Sequence, residues 1–247
     1  MGTLLELNQV YTNIGDYQIL QGVDLTVPEH AVSVLLGRNG AGKSTTLRTV
    51  MGYWKARSGS IEFRGQSLLG LPTHRVARLG LGYLPEERQV FANLTVRENL
   101  ELAGRKEEER RQRTEYALTL FPDLRVAWKR TAGTLSGGQK QILAMARLIV
   151  SAPPMLLIDE PSKGLSPVLV QKLAGVLEVM KKVSTILLVE QNFQLASRVG
   201  DCFSIIDDGR TCLSGQMEEL AGNSDWQRQY LGLEAVKGGG LRQWRSF

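Results

Sequence analysis

The run Gly37-Arg38-Asn39-Gly40-Ala41-Gly42-Lys43-Ser44-Thr45 has the spacing of a phosphate-holding loop, G-x-x-x-x-G-K-[ST]. Its glycines let backbone N–H groups turn inward around phosphate oxygens, in conformations that a Cβ obstructs. Lys43 brings a point charge to the β- and γ-phosphates, and Ser44 offers a hydroxyl to Mg²⁺. The apolar run Val32-Ser33-Val34-Leu35-Leu36 comes directly before. The loop therefore sits where a buried strand ends and a helix begins, and the helix N-terminus adds its own partial positive charge. The pattern predicts a nucleoside triphosphate and Mg²⁺ as ligands. The order of the glycines, G-x-x-G-x-G, does not fit a dinucleotide fingerprint.

Two later clusters complete the chemistry. Met155-Leu156-Leu157-Ile158 is a continuous apolar run that ends in Asp159-Glu160. In phosphate-loop enzymes an aspartate at such a strand end completes the Mg²⁺ shell, directly or through water. Glu160 beside it can orient and deprotonate an attacking water. Leu135-Ser136-Gly137-Gly138-Gln139 precedes an amphipathic helix carrying Ile142, Met145, Ala146 and Ile149. Ser136 reads as its N-cap, and the glycines leave the helix N-terminus open to a second anion. A plain capped helix would account for S-G-G taken alone.

The elements that position these groups read as α/β. Residues 4–10 and 22–27 alternate apolar with polar, as half-exposed antiparallel strands do. Met155-Leu156-Leu157-Ile158 and Thr185-Ile186-Leu187-Leu188-Val189 are short continuous apolar runs, expected of parallel strands covered on both faces. Between them, residues 167–182 carry apolar residues at helical spacing, with Pro167 at the first helical position. An α-helical subdomain over about 95–150 is expected as an insert in the core, its stretch from 95 to 135 being rich in charge and free of strand patterns. Cys202 and Cys212 are the only cysteines and flank a hairpin turn at Asp207-Asp208-Gly209. This is too few for a disulfide scaffold and points to thiols in a reducing compartment. A short strand and a small helix around 217–220 follow. One domain over 1–236 is expected, with a flexible tail over 237–247 that contains Gly238-Gly239-Gly240.

The formal charge of +5 is mild for 247 residues and is spread along the chain. Its densest run, Arg105-Lys106-Glu107-Glu108-Glu109-Arg110-Arg111-Gln112-Arg113, is of mixed sign and reads as a solvated helix face rather than a nucleic-acid patch. No apolar run approaches the roughly 18 to 20 residues of a membrane span, so a protein that is soluble in isolation is expected.

L-S-G-G-Q, with the phosphate loop upstream and the D-E strand downstream, resembles the ATP-binding-cassette ATPases over nearly the whole chain. That resemblance implies ATP as the nucleotide and a head-to-tail dimer, in which Ser136, Gly137, Gly138 and Gln139 of one subunit close over the ATP on the other's phosphate loop. It also implies an aromatic stacked on adenine, for which Tyr11 is preferred and Tyr17 is the rival. Glu86, in Gly82-Tyr83-Leu84-Pro85-Glu86, stands where the family usually has a glutamine that senses Mg²⁺ and contacts the transporter. Gln191, in Leu188-Val189-Glu190-Gln191-Asn192, replaces the usual histidine at the γ-phosphate switch. It can still donate through its amide but carries no charge. Ser166 replaces a common aspartate in the loop after Glu160.

P-E-E-R-Q-V-F followed by L-T-V-R-E-N-L, together with V-E-Q-N and G-L-S-P, is similar to the second ATPase subunit of branched-chain amino acid uptake transporters and their urea and amide relatives. This implies transmembrane permease subunits and a second ATPase subunit, identical or not, as partners. A substrate-binding protein is an indirect partner, and no nucleic acid is expected. The implied place is the cytoplasmic face of the inner membrane, as a peripheral subunit, with the coupling surface around 86–93 and 95–102. The core alone also suits an exporter subunit or a soluble cassette ATPase. Repair proteins of that soluble class insert long coiled coils and translation factors carry tandem cassettes, and this chain has neither.

Overall fold

The computed structural model describes residues 2–87, 90–103 and 107–232. Arg88 and Gln89, the start of the 105–113 charged run and the expected tail at 237–247 lie outside the described residues.

The chain opens with a hairpin of β1 (Thr3–Ile14) and β2 (Tyr17–Pro28), paired antiparallel. Both strands are longer than their alternating stretches. Register shifts after Leu7, with Gln9 at φ +47°, move side chains out of phase and hide the far end of β1, beyond Val10, from a period-two reading. β3 (Val32–Leu36) then runs into the glycine loop and α1 (Lys43–Val50). β4 (Ala56–Phe63) and β5 (Gln66–Ser67) return to the first sheet, whose order is β2-β1-β4-β5. Arg57-Ser58-Gly59-Ser60 shows neither alternation nor an apolar run, so pairing with β1 rather than local pattern makes β4 a strand.

After α2 (Thr73–Leu79) and β6 (Leu81–Leu84) come α3 (Val96–Glu101), α4 (Glu107–Leu120), α5 (Pro122–Val126) and α6 (Gly137–Ser151). The chain then alternates through β7 (Met155–Asp159), α7 (Pro167–Met180), β8 (Thr185–Val189), α8 (Phe193–Val199) and β9 (Cys202–Asp207). It closes with β10 (Arg210–Gln216), α9 (Met217–Gly222) and α10 (Ser224–Leu231). Ser166 caps α7 with its hydroxyl, and Pro167 opens that helix as its pattern predicts.

The second sheet has the order β10-β9-β3-β8-β7-β6, parallel from β9 to β6, with β10 antiparallel at one edge. Every residue of β3, β7 and β8 is buried, as parallel strands covered on both faces must be. Successive side chains separate onto two cores. Val34, Leu36, Leu156, Ile158, Ile186 and Leu188 meet the helices α3 to α9, while Leu35, Leu157, Leu187 and Val189 meet α1 and the antiparallel sheet. The result is an α/β fold with its parallel sheet between these two layers. Its loops at the carboxyl ends of β3, β7 and β8 emerge together, which is where ligands bind in such sheets.

The β9–β10 hairpin turns through Asp208 and Gly209, both at positive φ, the type I′ geometry that a two-residue turn of this hand requires. Cys202 and Cys212 are both free, with Cys202 Sγ 3.0 Å from Ser33 Oγ. No helix among the described residues is long and apolar enough to cross a membrane.

Candidate nucleotide-binding and catalytic site

The glycine loop is shaped by what it passes. A Cβ on Gly37 would lie 2.1 Å from the Ile206 carbonyl oxygen of β9, so only glycine fits. Gly42, at φ +106°, stands at the N-cap of α1 without a capping side chain, which leaves the first helical N–H groups facing the loop. The β9–β10 turn holds the loop from outside: Gly209 N–H donates to Ala41 O at 2.9 Å, and Gln21 N–H donates to Gly209 O at 2.8 Å. Arg38, Asn39 and Gly40 are exposed at the rim, and Ser44 and Thr45 are half-buried.

Lys43 is buried, and its ammonium donates to Gly37 O at 2.8 Å and Arg38 O at 2.9 Å. Burial lowers its pKa, while the carboxylates of Glu160 and Asp159 act in the opposite direction. Ser44 Oγ donates to Asp159 Oδ1 at 3.0 Å, and Tyr83 Oη donates to Asp159 Oδ2 at 3.4 Å. Asp159 is 1% exposed, and burial raises its pKa against the Ser44 hydrogen bond. Tyr83 is pushed up to about 12, first by burial and then by the Asp159 charge. It remains a hydrogen-bond donor through the physiological range.

Glu160 lies at φ +46°, a left-handed conformation that a side chain of its size adopts at a cost. Its N–H donates to Val189 O at 2.9 Å, and its carboxylate accepts from the Gln191 side-chain amide. The exposed ammonium of Lys163 lies 3.7 Å from Glu160 Oε2 and donates to Glu86 Oε1 at 2.6 Å. Thus Ser44, Asp159, Glu160 and Gln191 converge on the mouth of the loop, with Glu86 joined to them through Lys163.

Ser136 caps α6 through a reciprocal box. Gln139 N–H donates to Ser136 Oγ at 3.3 Å, and Ser136 N–H donates to Gln139 Oε1 at 3.0 Å. Ser136 and Gly137 are exposed, Gly138 is half-exposed, and no hydrogen bond among the described residues joins this turn to Gly37–Thr45 of the same chain.

Tyr11, which the family resemblance would set against adenine, makes its hydrogen bond within the antiparallel sheet. Its neighbour Thr12 faces α1, accepting from Thr49 Oγ1 at 3.3 Å, whereas the Tyr11 hydroxyl donates to Gln9 Oε1 at 3.4 Å over Gly22. Alternation along β1 puts it on the sheet face opposite α1. The β2 residues that reach Gly42 are Ile19 and Leu20, and Tyr17, two residues earlier, is 78% exposed.

Three partners escape a reading of the sequence. Gln141, buried on α6, donates to Pro161 O at 3.1 Å; Tyr83 reaches Asp159; and Glu190, 1% exposed, accepts from the Ser162 hydroxyl at 2.9 Å. The signal for Gln141 and Glu190 is a polar residue at a position that the apolar pattern assigns to the interior.

Comparison with known proteins agrees with this geometry. The ABC transporter family matches residues 20–163. The high-affinity branched-chain amino acid transport ATP-binding protein BraG of Pseudomonas aeruginosa is 37% identical over 232 residues, covering 93% of this chain and all of its own length. The probable branched-chain amino acid transport ATP-binding protein LivF of Archaeoglobus fulgidus is 37% identical over 235 residues, covering 92% and 99% of the two chains. A solved ATP-binding subunit of an ABC transporter superposes with a TM-score of 0.81 at 29% identity, over 93% of this chain and 96% of that one. The chain therefore belongs to the ABC transporter family, as one of its ATP-hydrolysing subunits.

Proposed function

We propose that this subunit powers an importer of branched-chain or other small amino acids, working at the cytoplasmic face of the inner membrane against permease subunits. The observation that carries this reading is the 37% identity, over more than nine-tenths of the chain, to BraG and LivF, both named for branched-chain amino acid transport. The substrate-binding protein is an indirect partner, since an ATPase subunit never touches the cargo.

Hydrolysis in this reading is shared among the residues at the loop mouth. Lys43 exchanges the Gly37 and Arg38 carbonyls for phosphate oxygens, and the N–H groups of Gly40 to Thr45 cradle the rest. Ser44 Oγ and Asp159 Oδ1, 3.0 Å apart, form a hard oxygen pair suited to Mg²⁺, which takes one or two carboxylates besides phosphates and waters. When bound, that ion would neutralise charge on the phosphates. Glu86 stands behind Lys163 as a more distant contributor to that site. Glu160 takes the proton of the attacking water, and Gln191 orients Glu160 and the γ-phosphate through its amide.

Ser136, Gly137, Gly138 and Gln139 serve the ATP of a second subunit, as the family resemblance implies and as the exposure of Ser136 and Gly137 at the start of α6 allows. Tyr17, exposed beside the residues that touch Gly42, is better placed than Tyr11 to stack on adenine. Residues 1–236 act as one cassette with its helical insert over about 95–150.

Deleting the gene and measuring uptake tests the whole assignment. Loss of leucine, isoleucine and valine uptake is expected. Loss of urea or short-amide uptake instead would move the substrate class. Unchanged uptake of all of them, with no redundant transporter present, would overturn the importer reading in favour of an exporter.

A further inference from the structure

Glu190 follows β8 directly, is 1% exposed, and takes no direct part in the chemistry at the loop mouth. Its carboxylate accepts four hydrogen bonds. Oε1 accepts from Ser162 N–H at 3.0 Å, and Oε2 accepts from Ser162 Oγ at 2.9 Å, Gln191 N–H at 3.1 Å and Asn192 N–H at 3.1 Å. Burial raises its pKa while these hydrogen bonds oppose the rise. A buried carboxylate is costly, and an apolar residue would fill the same space without that cost. What the carboxylate supplies is four acceptor sites aimed at two different segments. A glutamine has one acceptor oxygen and would turn an amide donor toward Ser162 N–H or toward the cluster at Oε2.

Those two segments flank the reaction. Pro161-Ser162 is the chain leaving Glu160, and Gln191-Asn192 carries the amide that meets the Glu160 carboxylate. Glu160 itself sits at φ +46°, a conformation that lasts only where its surroundings hold it. From below, β8 receives the Glu160 N–H at Val189 O, 2.9 Å, and from α6 the buried Gln141 amide grips Pro161 O at 3.1 Å. Glu190 adds a restraint on the side that faces the switch loop, where its carboxylate takes the Gln191 and Asn192 N–H groups.

We propose that Glu190 is a positioning residue for ATP hydrolysis, clamping the loop after Glu160 to the loop that carries Gln191 so that both side chains meet at one point. The proposal rests on the reading of Glu160 as the base. Misplacing a catalytic group by about 1 Å costs on the order of 10²-fold, so loosening this clamp acts on turnover. Nucleotide affinity depends on Lys43 and the glycine loop, to which the Glu190 carboxylate makes no hydrogen bond.

The test is full-length Glu190→Gln beside Ser162→Ala, Glu160→Gln and the unmodified chain, with kcat, fluorescent-nucleotide affinity and melting temperature measured on each. Expected is a fall in kcat of at least ~10-fold for Glu190→Gln, with nucleotide Kd within about 3-fold and melting temperature within a few degrees. Ser162→Ala keeps the backbone bond and loses one donor, so a kcat loss of about 2- to 5-fold at unchanged Kd is expected. Unchanged kcat in Glu190→Gln, or a loss matched by weaker binding, overturns the proposal. Should Glu190→Gln not fold, Ser162→Ala decides alone: slower turnover supports the clamp and unchanged turnover overturns it. An inactive Glu160→Gln beside an active Glu190→Gln defeats only the positioning role, whereas an active Glu160→Gln removes the base assignment and the clamp with it.

Discussion

Ser44 and Asp159 stand 115 residues apart in the chain and meet through a 3.0 Å hydrogen bond at the mouth of the glycine loop. The pairing depends on β3 and β7 ending at the same edge of one parallel sheet, with β8 between them. It places a hydroxyl and a carboxylate oxygen side by side in a buried setting. Burial holds the Asp159 pKa above its ordinary range, so the folded protein binds this proton more tightly than the unfolded chain does. The stability linked to that proton is greatest at low pH and is lost as pH rises from the ordinary carboxylate range through the raised value.

Asp159→Asn should accordingly be more stable than the unmodified protein at neutral pH, and the difference should shrink as pH falls. Each kcal/mol corresponds to about 2 to 4 °C for a domain of this size, so melting curves across pH will resolve it. The same variant should lose the dependence of nucleotide affinity on added Mg²⁺ and at least ~10²-fold in turnover, measured by titration with and without chelator.

Replacing Glu160 with Gln keeps the side chain's shape and removes its basicity. Turnover should fall by about 10²- to 10⁴-fold, the range for a lost general base, while ATP binding persists. Because product formation no longer dissolves the complex, this variant should sediment as a dimer with ATP and as a monomer without it. Monomer alone at saturating ATP and high protein concentration would contradict a shared site.

For the signature turn, Ser136→Arg introduces bulk at an exposed helix N-terminus and removes an N-cap worth about 0.5 to 2 kcal/mol. The fold should survive, since the buried residues of α6 that anchor it are untouched. ATPase activity should disappear in homodimers of the variant but recover partly when it is mixed with a Lys43→Ala chain, because each contributes the half the other lacks. Absence of any recovery would argue that one subunit uses its own signature.

Tyr17→Ala should raise the Michaelis constant for ATP by about 5- to 30-fold, corresponding to the ~1 to 2 kcal/mol that a stacked base contributes. Tyr11→Ala should leave it unchanged, as its hydroxyl is turned to Gln9 on the other face. The opposite outcome would return the stacking role to Tyr11.

Much of this site was legible because its groups lie in short contiguous motifs. Gly37 to Thr45, Asp159-Glu160 and Ser136 to Gln139 each announce a strand end or helix start, and the parallel sheet brings the first two together wherever such strands are adjacent. Tyr11 and Tyr17 could not be ordered that way: which of two strand aromatics faces the loop depends on alternation, and the register shifts after Leu7 and Val10 disturb it. β4 stayed hidden because long-range pairing, rather than its polar sequence, makes it a strand. Glu190 was visible in V-E-Q-N at a position that the apolar run before it assigns to the interior, but nothing local names its partner, Ser162, some 28 residues earlier.

The β9–β10 turn restricts how this protein can be altered. Gly209 bridges Gln21 of the antiparallel sheet and Ala41 of the phosphate loop, and a Cβ there would lie 2.1 Å from Ile19 O. Asp208-Gly209 thus looks like an ordinary surface turn, the usual choice for an epitope tag or a grafted peptide, yet an insertion would pry the nucleotide loop from its backing. The turn at Gly65, with nothing within 4 Å of an added Cβ, is a better place for this cassette to carry foreign sequence.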